Sequence, residues 1–165
     1  SGIAVATVIG FPHGTTTTRC KVAEAKEAIA DGAKELDMVI NIGKMKSGLY
    51  RYVEEDIQAV VDVAHQEQVL VKVIFENCYL TKDEKIRACA MVNETGADFA
   101  KTSTGFGPGG ATEDDVLLMR EHCLPQIQIK AAGGIKTLAQ AKRFCALGCR
   151  RLGCSTTAEI LKESD

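Results

Sequence analysis

Gly96-Ala97-Asp98-Phe99-Ala100-Lys101-Thr102-Ser103-Thr104-Gly105 is the stretch on which the reading of the fold turns. A glycine suited to ending a helix leads into a short apolar run, which closes on a lysine followed by three hydroxyl residues and a second glycine. The pattern reads as a buried strand that ends in a charge and opens into a loop. An ammonium group is expensive to bury unless it is paired or kept neutral. The arrangement recurs: Lys72 stands in Leu70-Val71-Lys72-Val73-Ile74-Phe75, and Lys130 in Ile127-Gln128-Ile129-Lys130-Ala131-Ala132-Gly133-Gly134. One carboxylate, Asp37, occupies a comparable place in Glu35-Leu36-Asp37-Met38-Val39-Ile40. Several ionisable side chains on otherwise apolar strands are hard to explain as packing, and they read as a catalytic set.

Working outward, apolar runs occur at 3–9, 36–40, 69–75, 98–101, 127–132 and 151–154. Helical periodicity occupies 19–30, 52–66, 82–94, 113–122 and 138–147, with a last helix over 156–163. Thr81 and Thr112 stand where helix caps belong, each followed by acidic residues, and Gly32, Gly96 and Gly148 fall where helices should stop. No segment reads as a linker, so residues 1–165 are expected to form a single domain. Continuous apolar strands alternating with helices imply a parallel sheet covered on both faces. Charges on four strands, with Gly/Ser sequences after the last two, favour a (β/α) barrel of the TIM type over an open doubly wound sheet. Only six strand–helix units are present, whereas the eight-unit barrel ordinarily needs more than roughly 200 residues. The expectation is therefore an α/β barrel lacking the first two units.

Composition excludes several functions. The chain has 165 residues, 45% hydrophobic and 25% charged, with a formal charge of -2. That balance gives no reason to expect nucleic acid or an anionic membrane as partner. No apolar run approaches the ~20 residues of a membrane span. Seven cysteines, without a Cys-x-x-Cys pair, suggest reduced thiols in a cytoplasmic protein rather than a disulfide framework. His13, His65 and His122 form no zinc spacing, so neither a metal nor another cofactor is expected.

A nucleophilic lysine must lose its proton near neutral pH, about three units below its reference pKa. Burial and a neighbouring cation both push in that direction, so Lys101 with Lys130 nearby would supply an amine that attacks a carbonyl. Asp37 is the natural group to move protons at the adjacent carbon, directly or through a water. Lys72 is expected to line the pocket or pair with Asp37 or Glu76. Gly133-Gly134-Ile135 and Gly153-Cys154-Ser155-Thr156 look like a phosphate grip of backbone donors and hydroxyls. Gly105 would add an N–H, and Thr104 a hydroxyl for a substrate oxygen. Phe11-Pro12-His13-Gly14 reads as loop-shaping.

The strings around Asp37, Lys72, Lys101, Lys130 and Gly153, together with Val8-Ile9-Gly10-Phe11-Pro12-His13-Gly14, resemble the deoxyribose-phosphate aldolase family. The resemblance runs in order over almost the whole chain. It implies a metal-free class I aldolase on a (β/α)₈ barrel that reversibly cleaves 2-deoxy-D-ribose 5-phosphate to D-glyceraldehyde 3-phosphate and acetaldehyde. By matching position, Lys101 would form the Schiff base, Lys130 would perturb its pKa and Asp37 would relay protons. Gly105, Gly133, Gly134, Gly153, Ser155 and Thr156 would line the phosphate site. Phe106 stands where some members carry a lysine, implying weaker phosphate binding or more reliance on backbone donors.

The family's first two strands have no counterpart here, which would leave the strand at 3–9 and the last strand with unpaired edges. A fragment, protomers completing one another, or a shortened barrel would each account for this. A homo-oligomer that covers those edges is expected. Two other functions compete with the aldolase: a barrel without activity that keeps phosphate binding or serves as an assembly partner, and a phosphate-binding isomerase, which would not need paired lysines.

Overall fold

The computed structural model describes residues 2–162. Six strands, β1 (Ala6–Ile9), β2 (Glu35–Val39), β3 (Leu70–Ile74), β4 (Phe99–Lys101), β5 (Gln128–Ala132) and β6 (Cys149–Gly153), pair in parallel and in sequence order. Helices α1 (Thr18–Ala30), α2 (Ile42–Lys46), α3 (Tyr50–Gln66), α4 (Lys82–Thr95), α5 (Glu113–His122), α6 (Leu138–Ala146) and α7 (Thr157–Lys162) alternate with the strands. Glu163, the expected end of the last helix, lies outside the described residues. The sheet curls without closing, and among the described residues β1 and β6 each pair on one side only. This is the expected strand order of a TIM-type barrel, seen as a six-strand part of one. No helix of the described residues is long and apolar enough to cross a membrane.

Local chemistry explains the elements. Thr81 and Glu84 form a capping box at the start of α4, and Thr137 and Gln140 form one at α6. Each box satisfies amide groups that a helix start leaves without partners. The Thr112 hydroxyl accepts from Asp115 N, while Glu113, Asp114 and Asp115 face the positive end of the α5 dipole. Gly96 ends α4 in the left-handed region, where a Cβ would be strained. The sequence reading omitted α2, whose five residues are too few to show a period. Asn41 starts it by accepting from Lys44 N. Cys149 opens β6.

Alternation on the strands separates two compartments. Leu36, Met38, Val71, Val73, Ala100, Ile129 and Ala131 point outward into the main core. There they meet α3, whose buried stripe of Val53, Ile57, Val60, Val61 and Ala64 follows the helical repeat. Each fully buried aliphatic side chain contributes ~1.5–3 kcal/mol, so Ile57→Ala should cost roughly 2–5 kcal/mol. The opposite strand face holds Glu35 and Asp37 on β2, Lys72 on β3, Phe99 and Lys101 on β4, and Lys130 on β5. Charge is thus collected on the inner face while the outer face holds the apolar core.

Candidate active site

Parallel register places Asp37 beside Lys72 and Lys101 beside Lys130. Curling of the sheet then carries the β4 and β5 side chains back over β2. Lys101 Nζ and Lys130 Nζ both donate to Asp37 Oδ2 at 2.7 Å, and Lys72 Nζ donates to Oδ1 at 2.8 Å. Lys72 also reaches Glu35 Oε2 at 2.6 Å, and Glu35 Oε1 accepts from Arg151 on β6 at 3.2 Å. The side chains are almost dry, with Lys101 7% exposed, Asp37 5% and Lys72 0%.

One carboxylate therefore serves three ammonium groups. Burial works to raise the pKa of Asp37, but the charges of Lys101, Lys130 and Lys72 prevail and hold it at about 2. Burial also lowers the pKa of Lys101; Asp37 opposes this, while the charges of Lys130 and Lys72 reinforce it. The Asp37 charge is divided among three cations, which is why burial prevails at Lys101. Glu35 is held below the ordinary carboxylate range because Lys72 and Arg151 outweigh the effect of its burial. The set presents at Lys101 an amine whose hold on its proton is weakened, with a carboxylate that is ionised near neutral pH touching both that amine and a second one.

Next to Lys101 a cavity of about 330 Å³ opens among the loops after β4, β5 and β6. Of the residues expected to bind substrate, Thr104, Gly105, Gly133, Gly134, Gly153 and Ser155 line it, along with Phe106, Ala132, Ile135, Lys136 and Cys154. Gly133 (φ +85°) and Gly134 (φ +77°) are both left-handed, so this wall is built of backbone. Phe106 packs edge-on against Phe11 at 5.3 Å between ring centres.

Three expected residues behave differently. Lys72 was placed with the substrate-binding set, but it is fully buried between Asp37 and Glu35 and does not line the cavity. Its carboxylate partners are those two and not Glu76, which lies beyond the end of β3. Thr104 lines the cavity, yet its hydroxyl donates to Glu76 and accepts from Phe106 N at 3.0 Å. That hydroxyl is engaged within the loop rather than held ready for a substrate oxygen. Thr156 does not line the cavity, and its buried hydroxyl oxygen has no hydrogen-bond partner among the described residues.

Sequence reasoning missed Glu35 and Lys136, and it named Glu76 only as a possible partner of Lys72. Glu35 was legible in principle, because it stands two residues before Asp37 and strand alternation puts both on one face. Lys136 follows Gly133-Gly134-Ile135 directly and brings an ammonium group to a site otherwise lined mainly by backbone. Among the described residues no three His, Cys, Asp or Glu side chains cluster as metal ligands.

Residues 2–155 match the DeoC/LacD family aldolase. The chain is 56% identical over 160 residues to the deoxyribose-phosphate aldolase of Thermococcus gammatolerans, covering 97% of this chain and 71% of that protein. It is 49% identical over 164 residues to the deoxyribose-phosphate aldolase of Rhodopirellula baltica, covering 99% and 68%. Among solved structures, the aldolase QR15 superposes with a TM-score of 0.93 at 40% identity, over 99% of this chain and 73% of that one. The deoxyribose phosphate aldolase of Aeropyrum pernix, described as a unique tetramer, gives 0.90 at 28% identity over 99% and 68%. With the family match over residues 2–155 and relatives at 49–56% identity along almost its whole length, the chain belongs to the DeoC/LacD aldolase family.

Proposed function

We propose that the chain is a class I deoxyribose-phosphate aldolase, cleaving 2-deoxy-D-ribose 5-phosphate to D-glyceraldehyde 3-phosphate and acetaldehyde through an imine on Lys101. One observation supports this above all: Lys101 and Lys130 share a single oxygen of Asp37, at the edge of a cavity able to hold an anion.

The neutral Lys101 amine adds to the substrate aldehyde, and loss of water gives a protonated imine. The imine withdraws electrons from the carbon–carbon bond two atoms away. When the hydroxyl on the far carbon loses its proton, that bond breaks and glyceraldehyde 3-phosphate departs. The enamine left on Lys101 takes a proton at carbon, and water hydrolyses the resulting imine to acetaldehyde and free amine. Asp37 and Lys130 carry these protons in this scheme, a role supported by their contacts with the Lys101 nitrogen and its partner oxygen. The phosphate, held by the backbone of Gly105, Gly133, Gly134 and Gly153 with Ser155 and Lys136, supplies binding energy away from the reacting carbons. The chemistry as written needs no cofactor.

The test is reductive trapping. Acetaldehyde with borohydride should leave an ethyl group on Lys101, absent in Lys101→Ala. Failure to label Lys101 in folded protein would overturn the proposal. The proposal extends to a homo-oligomer that covers the outer edges of β1 and β6, in a protein that works in the cytoplasm. A monodisperse monomer in sedimentation, with slow amide exchange on β1, would refute that assembly.

A further inference from the structure

The loop between β4 and α5 is held from two sides, and neither contact takes part in the imine chemistry. On one side, Gly110 lies so close to Gly133 that a Cβ on it would sit 2.3 Å from Gly133 O, and Ala111 N donates to that same carbonyl at 3.0 Å. On the other side lies the segment after β3. A Cβ on Gly107 would come within 3.0 Å of Cys78 Sγ and 3.2 Å of Glu76 Cδ, and one on Gly109 within 2.9 Å of Cys78 Cβ. The loop is a glycine strap squeezed between the β3 end and the wall of the cavity.

Glu76 is the polar anchor of that squeeze. It is 2% exposed and carries two oxygens that must find donors. Oε1 accepts from Thr104 N at 3.2 Å, and Oε2 accepts from the Thr104 hydroxyl. The Cys78 thiol approaches Oε1 at 3.9 Å. The Thr104 hydroxyl in turn accepts from Phe106 N, which fixes the chain on both sides of Gly105. Glu76 makes these contacts from the left-handed region, at φ +54° and ψ +61°, a conformation that a residue with a Cβ keeps only where its surroundings impose it.

We infer that Glu76 is a positioning residue for phosphate recognition, holding Thr104 so that Gly105 and Phe106 form one wall of the anion cavity. The inference rests on the function proposed above and deepens it. Glu76 does not line the cavity and is not bonded to Lys101, so it bears on the phosphate end of the substrate and leaves imine formation alone.

The experiment compares two carbonyl donors in borohydride trapping on Lys101. 2-Deoxyribose 5-phosphate engages the phosphate wall, whereas acetaldehyde does not. In Glu76→Gln, an amide N–H₂ replaces one acceptor and faces a donor of Thr104. The half-saturating concentration of the sugar phosphate should rise about tenfold, with acetaldehyde trapping unchanged. Thr104→Val removes the hydroxyl from the other end of the bond and should reproduce the effect, even should Glu76→Gln not fold. Equal weakening of both donors would mark Glu76 as a general stability residue and overturn the inference, as would no change with either. Inorganic phosphate binding by calorimetry reads the same brace without the imine. It should weaken about tenfold in Glu76→Gln, and unchanged affinity would overturn the inference. If the parent forms no adduct on Lys101 but phosphate binding responds in this way, the proposed function has failed and the brace has not.

Discussion

Lys21 and Lys101 are both buried lysines bonded to an aspartate, yet their surroundings assign them different work. Lys21 lies in the helix layer outside the sheet. Its nitrogen donates to Asp56 Oδ2 at 2.5 Å and to Val39 O at 2.8 Å, with lysine and aspartate both 0% exposed. Its stem packs on Gly10, where a Cβ would fall 2.7 Å from Cε. Lys101 lies inside the curl and shares one Asp37 oxygen with Lys130, while Lys72 takes the other. The first lysine has a carboxylate and a carbonyl to itself. The second has a third share of one carboxylate. Burial is common to both, so what separates the structural lysine from the proposed nucleophile here is the number of cations each carboxylate serves.

The largest effect expected from this contrast lies in activity. Lys101→Ala should reduce kcat/KM at least about a thousandfold with folding intact, because the covalent step loses its nucleophile. Lys21→Met should lower thermal stability and leave kcat/KM per folded molecule near the parent value. Comparable loss of activity in both would erase the distinction.

The aspartates sharpen it next. Asp56→Asn leaves Lys21 in a sealed site with neutral acceptors only and should cost roughly 3–5 kcal/mol in denaturant unfolding. The double change Lys21→Met/Asp56→Leu should recover most of that, since apolar replacement of a buried pair is often close to neutral. Asp37→Asn should destabilise as well, but there the activity of the folded fraction should also collapse, and no apolar partner change should restore it.

Acid reads the Asp37 network directly. The folded pKa of about 2 lies below the reference value of 3.8, so the network contributes stability that is present above about pH 4 and lost as pH falls through about 2. A shift of that size corresponds to ~2 kcal/mol. Denaturant midpoints measured between those limits should fall with pH, and the slope should flatten in Asp37→Asn.

The sequence made one half of this comparison visible and hid the other. Strand order, the inner-facing positions of Asp37, Lys101 and Lys130, and the glycines of the cavity follow from local runs and alternation. Pairing across the curl does not. Arg151 reaches Glu35 over 116 residues, and Lys130 reaches Asp37 over 93. Alternation states which face a side chain takes but leaves open which strand it meets across the lumen, so for Lys72 the sequence leaves open a place in the cavity or a pairing with Asp37 or Glu76, and the structure shows the pairing with Asp37. Glu76 was hidden for a related reason. A glutamate just past a strand end looks like an ordinary loop residue, and only its backbone angle and its contact with Thr104 reveal a brace. Lys21 and Asp56 look like polar members of two amphipathic helices, and their burial depends on how α1 packs on α3.

The smallest effect isolates electrostatics from proton transfer. Lys130 depresses the pKa of Lys101 through its charge, and it also competes for Asp37 Oδ2. In Lys130→Met both influences disappear: the repelling charge is gone, and Asp37 is left more fully to Lys101. Each change raises the Lys101 pKa, so at a given pH less of the amine is neutral. The acid limb of kcat/KM should therefore move to higher pH, by roughly one unit if the neighbouring charge has its usual weight. The plateau falls as well, because a proton carrier has been removed, but a lower plateau does not displace the limb. Lys130→Arg keeps the charge and should keep the limb in place even where activity is lost. A limb that stays put in Lys130→Met would mean that burial alone sets the reactivity of Lys101, and that crowding several cations on one carboxylate is not what distinguishes it from Lys21.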